Sequence, residues 1–210
     1  MYETYIVSFC AFLCCYFISC GISGEEQPDI SEKSFSQETK FDFYKIAFND
    51  RSLPYNVKKY FESDIKVYSD EECVDCTPEG ITNFALYKYK SACKTLLLYK
   101  GNIYVIGGWF GGYGVTEIAI AEDVDGDYLV YNYSCGSGIT SSSLGLFSFK
   151  SQRLFASGRF FNDIVTFAIK DGRAVINKTE RIMTDDRYEF SDTGEELSDI
   201  YSIKFSLVKE

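Results

Sequence analysis

From residue 41 onward, apolar and polar positions alternate mostly with a period of two. That spacing turns one face of a β-strand toward a core and the other toward water. Runs rich in β-branched and aromatic residues cover 41–48, 83–89, 95–99, 103–106, 116–121, 128–133, 144–149, 164–169, 174–177 and 201–208. Residues tolerant of positive φ separate them, as at Lys100-Gly101-Asn102 and Asp171-Gly172. Only 56–63, after Leu53-Pro54, is spaced as a short helix. About ten strands at regular spacing predict an all-β domain, an antiparallel meander that is either propeller-like or a sandwich.

The amino terminus breaks this pattern. Residues 6–20, IVSFCAFLCCYFISC, are fifteen positions without a charge. That length suits the apolar core of an export signal and is short of the roughly 20 residues of a membrane span. The following 21–40 are polar, acidic and rich in Ser and Glu, with only Ile22, Ile30 and Phe35 to bury. Such a composition does not repay the cost of ordering. The expected division is a signal peptide (1–19), a flexible tether (20–40) and one β-rich domain (41–210).

The apolar run closes on Phe17-Ile18-Ser19-Cys20-Gly21, which resembles the lipobox of bacterial lipoproteins. The resemblance implies a lipid on the Cys20 thiol, a mature chain beginning there, and a domain tethered to a membrane of the cell envelope. The leader departs from that pattern in carrying Glu3 and no Lys or Arg before residue 6. Cleavage after Ser23, giving a secreted protein, is the rival, and an uncleaved anchor is the third reading.

Composition narrows the function classes. With 17 Tyr, 18 Phe and 46% apolar residues among 210, the chain is of the folded kind. A net charge of −10 argues against a nucleic-acid partner, which needs a basic face. The absence of His excludes Ser-His-Asp and Cys-His catalysis and every imidazole metal site.

Asp123, Asp125 and Asp127 alternate around Gly126 just after an apolar strand. Carboxylates at every second position of a tight turn can converge on one hard cation, and Ca²⁺ prefers such oxygen cages. The segment resembles the D-x-D-G-D-G loops of FG-GAP and VCBS-type repeats, which lie between propeller strands. With Tyr133-Ser134, Gly136-Ser137-Gly138 and the apolar 144–149, it is similar to a group of uncharacterised bacterial exported lipoproteins. That resemblance implies a compartment and a sheet-rich fold, not an activity. Tyr128 stands where such loops place Gly, and Tyr131 where they place a further acid. The cage is therefore short of a ligand, and the expected calcium affinity is weak.

Four of the eight Cys fall in the leader and four, Cys73, Cys76, Cys93 and Cys135, in the domain. In an exported protein these suggest two disulfides, with Cys73 and Cys76 reaching separately to Cys93 and Cys135. The Cys73-Val74-Asp75-Cys76 spacing also admits a redox pair or a zinc site. Thr77-Pro78 does not open the helix that a redox pair needs, and a second short-spaced pair for zinc is missing. The glycine-rich 107–114 lacks the Lys-Ser/Thr of a phosphate loop. Its aromatics Trp109, Phe110 and Tyr113 form a candidate loop for stacking on a sugar or a partner surface.

Ser137 lacks the spacing of a nucleophile elbow. The acid pairs Asp185/Asp186 and Glu195/Glu196 fit a solvated surface. Asn132-Tyr133-Ser134 and Asn177-Lys178-Thr179 are sequons that matter only in a eukaryotic secretory pathway. The resulting expectation is a non-enzymatic, envelope-anchored domain that binds a ligand, protein or carbohydrate partner, with its surface at the Trp109 loop beside the Asp123–Asp127 turn. The alternatives are a glycosidase-like hydrolase using carboxylates alone, which needs two facing acids, and a Cys-based redox protein.

Overall fold

A computed structural model of the chain describes residues 31–64, 72–89, 94–107, 114–135, 141–158, 160–161, 163–184 and 187–209. In chain order, β1 (Glu32–Lys33) and β2 (Lys40–Lys45) precede helix α1 (Tyr55–Asp64). Then come β3 (Cys73–Asp75), β4 (Ala85–Tyr89), β5 (Thr95–Tyr99), β6 (Asn102–Ile106), β7 (Glu117–Asp123), β8 (Gly126–Cys135) and β9 (Ser141–Ser148). The last part holds β10 (Leu154–Ala156), β11 (Phe160–Phe161), β12 (Asp163–Lys170), β13 (Arg173–Thr184), β14 (Arg187–Asp199) and β15 (Phe205–Leu207), with a 3-10 turn at Ile200–Ser202. The all-β expectation holds.

The strands form three antiparallel sheets. The central one runs β1-β15-β10-β9-β8-β7-β2, with β11 beside β9; the others are β3-β4-β5-β6 and β12-β13-β14. The period-two pattern explains why they stack. Along β8, Tyr128 and Val130 point into one core with Val165 and Ile176, while Leu129 and Tyr131 point into a second with Leu86, Leu97 and Ile106. Thus the central sheet is covered on both faces. The far side of the β3–β6 sheet, with Tyr87 and Leu96, packs on Val57 of α1. This stacking of sheets is the sandwich alternative rather than the propeller-like one.

Two details fix the layers. Gly145 faces Tyr131 across the β8–β9 pair, and a Cβ there would lie 2.0 Å from the ring carbon Cζ of Tyr131. Only glycine lets the ring lie flat on the neighbouring strand. Asn132, buried at 4% exposure, donates from Nδ2 to the Val165 carbonyl at 2.8 Å. Its Oδ1 accepts from the Thr116 and Glu117 amides. This one side chain pins β12 to the central sheet, so the acceptor Asn132 of the sequon is part of the interior.

Part of the stretch expected to be a tether, 31–40, belongs to the folded domain. β1 pairs with β15, Glu32 opposite Ser206 and Lys33 opposite Phe205. Phe35, 5% exposed, makes edge contacts with Phe41, Tyr128 and Phe205. One aromatic meeting three others supplies the burial that the polar composition of 31–40 concealed.

Candidate functional site

The acidic loop is the hairpin between β7 and β8. Glu122 faces Asp127 and Asp123 faces Gly126, leaving Val124-Asp125 as a two-residue turn. Gly126 takes φ +135°, a conformation L residues rarely adopt.

The hairpin brings Asp123 and Asp125 together, and Lys33 fills the space between them. Its Nζ donates to Asp123 Oδ2 at 2.6 Å and to both Asp125 oxygens at 2.9 Å. Below the ammonium lie the rings of Tyr128 and Phe35, with centroids 4.8 and 5.6 Å away. Two carboxylates and two aromatic faces make a box suited to an ammonium ion. The other oxygen of Asp123 accepts from Ser36 Oγ at 3.1 Å, Thr39 Oγ1 at 2.9 Å and the Val124 amide at 2.9 Å. Asp123 is therefore satisfied on both oxygens with its side chain 1% exposed. Asp127 lies outside this arrangement: its side chain is exposed, and its carbonyl accepts from the Phe149 amide.

The electrostatics follow from this packing. Burial alone would raise the Asp123 carboxyl. The hydrogen bonds from Lys33, the Val124 amide and Thr39, with the Lys33 charge, outweigh it and hold the group below its ordinary 3.8. The Tyr128 hydroxyl is pushed upward, first by burial and then by its hydrogen bond to Asp125. Among the described residues no cluster of three or more acids and thiols is arranged to hold a metal ion. Sequence reasoning found the hairpin but missed Lys33, which sits 90 positions away from Asp123. Its only local signal was a lysine two residues before an isolated Phe.

The cysteine motif lies on β3 and just beyond. Cys73 packs with Val57 and Tyr87 beneath α1, while Cys76 packs with Leu86 and Ile118 between the sheets. Their thiols thus serve different cores on opposite faces of one sheet, as an i, i+3 spacing on extended chain requires. Both are free and buried, where disulfides were expected. Burial pushes Cys73 up to about 11 and Cys76 up to about 12, the reverse of the lowered pKa of a redox cysteine. Asp75 between them accepts from the Thr77 amide at 2.8 Å and from Asn49 Nδ2 at 3.3 Å, closing the turn that follows β3.

A surface cleft of about 140 Å³ is lined by Phe43, Tyr44, Lys45, Glu117, Ile118 and Phe167. Its single carboxylate, Glu117, accepts from the Phe167 amide at 2.9 Å. The cleft therefore offers no facing pair of acids for glycoside hydrolysis.

Cys20, Trp109, Phe110, Tyr113, Cys93, Ser137, Asp185 and Asp186 lie outside the described residues, as do the side chains of Cys135, Glu195 and Glu196. The expected neighbourhood of the Trp109 loop and the acidic turn likewise falls outside the described residues. No protein-family model, no curated protein and no solved structure matches this chain.

Proposed function

We propose that the chain is a non-enzymatic β-rich domain of the cell envelope, exported by its leader, held at a membrane by a lipid on Cys20, and acting by binding a partner. The observation that carries this reading is the closure of Lys33 over Asp123 and Asp125. It withdraws the most chemically suggestive group of the sequence from metal and acid–base work. It also locks the segment that leads back to the membrane onto the folded domain. The buried thiols of Cys73 and Cys76, packed into different cores, favour the same reading over a redox role.

The calcium expectation changes form here. A divalent ion reaches Asp123 and Asp125 only by expelling the Lys33 ammonium, so we read the loop as an internal ion lock. The kinship with FG-GAP-like exported lipoproteins stays part of this proposal.

The test is expression of the whole chain in a bacterial host, followed by mass spectrometry of the amino-terminal peptide of the membrane fraction. A diacylglyceryl-modified Cys20, lost in C20S, is the expected result. An unmodified mature terminus at Gly24 overturns the anchor and makes the protein secreted.

A further inference from the structure

The direction of β1 gives the domain an end that faces its tether. β1 runs antiparallel to β15, and β15 antiparallel to β10. The residues before Ser31 therefore leave at the end where β15 finishes and the β9–β10 turn lies. The Leu207 amide donates to the Ser31 carbonyl, and the Val208 amide to the Leu154 carbonyl. The β7–β8 hairpin is at the same end, since a Cβ on Gly126 would meet Lys150 at 3.6 Å.

That end has a distinctive surface. Val124, at the hairpin tip, is 83% exposed and Val208 47%. Lys150, Arg153 and Lys209 are exposed around them, in a chain of net charge −10. Asp127 and Glu122 are exposed one step back from the tip, and Glu32 and Glu38 are exposed at the same end. Of the two acids that would repel an anionic surface, Asp123 is buried beneath Lys33 and Asp125, still 36% exposed, is paired with it.

We propose that this end, with Val124 at its tip and Lys150, Arg153 and Lys209 around it, lies against the lipid surface. The inference rests on the membrane anchoring proposed above. The chain from Cys20 to Ser31 reaches no more than about 40 Å when fully extended. A domain of this size is itself roughly 40 Å across. Only a fully drawn-out tether would let the opposite end touch the bilayer, whereas the exit end is within reach at any extension. An apolar tip with Lys150, Arg153 and Lys209 beside it suits the boundary between headgroups and acyl chains, where cations are drawn to anionic lipid.

The test uses the full lipidated chain with Trp109 replaced by Phe and one tryptophan introduced, V124W at the tip or F48W beyond the far end of β2. Phe48 is already 59% exposed, so both positions tolerate the ring. Each protein is reconstituted into vesicles of phosphatidylglycerol and phosphatidylcholine with brominated acyl chains, and flotation is measured alongside fluorescence. Loss of emission confined to V124W is the expected result. Protein that floats with V124W unquenched, or with both positions quenched alike, overturns the orientation and leaves the anchor standing. Protein that does not float overturns the anchor and the orientation with it.

Discussion

Replacing Lys33 by Met removes the ammonium that sits over the rings of Phe35 and Tyr128 and keeps an unbranched apolar side chain. Stripping one partner from a buried ion pair costs about 3–5 kcal/mol, because the other charge is left uncompensated. Two features reduce that figure. Asp125 is 36% exposed at its side chain and rehydrates, and Asp123 keeps its donors Ser36, Thr39 and the Val124 amide. A loss of about 2 kcal/mol follows, measured as a fall in the urea midpoint at unchanged slope. For a domain of this size that corresponds to roughly 4–8 °C in Tm. The exposed Lys40→Met is the control, expected within about 0.5 kcal/mol of the parent. In a double-mutant cycle with D123N, K33M costs little, because the uncompensated carboxylate is gone. The pH dependence has a definite sign: a depressed folded-state pKa stabilises above the ordinary value of 3.8, and this is lost as pH falls through the lower folded value. D123N therefore flattens the acid limb of the stability profile below pH 4. A K33M protein as stable as K40M would refute the lock.

Three further outcomes follow from single contacts. G145A drives its Cβ into the Tyr131 ring and should cost about 1–3 kcal/mol as an overpacked site, seen in the same urea titration. N132A strands the Val165 carbonyl and the Thr116 and Glu117 amides, so about 3 kcal/mol is lost and amide exchange in β12 accelerates. Cys73 and Cys76 should resist a thiol reagent in the native protein and react after denaturation. Their raised pKa values make stability decline as pH rises above 9.0, the ordinary thiol value, toward about 11 and 12. A native protein that loses both thiols to the reagent within minutes at pH 8 would overturn the burial argument.

Where one face of a strand is buried, the fold was legible, because alternation then appears in the residues themselves. β5 was read to the residue as 95–99, and α1 within one residue of Tyr55–Asp64. β14, RYEFSDTGEELSD, was not read as a strand, since its polar sequence has no alternation and it forms by pairing with β13. β3 was taken for a chemical motif. Its Cys73 and Asp75 are in fact buried strand residues, and a three-residue strand is too short to reveal a period. The terminal 201–208 was expected as one strand, but Asp199 caps a 3-10 turn there through the Tyr201 amide before β15 begins.

The site was half legible for a related reason. Acidic turns are local and can be found by spacing, whereas their counterions are not. Lys33 lies in a segment whose polar character argued for solvation, and its ordering depends on partners in β7, β8 and β15 that no window of sequence contains. Phe35 provides the apolar burial that brings the segment onto the domain. Lys33 then converts two carboxylates, repulsive by themselves, into an attachment point. Two of the three acids that make a convincing cation loop in isolation, Asp123 and Asp125, thus become, in the folded chain, the socket for its own Lys33. A cation loop should therefore be judged by which basic side chain of its own fold can reach it, as well as by the spacing of its acids.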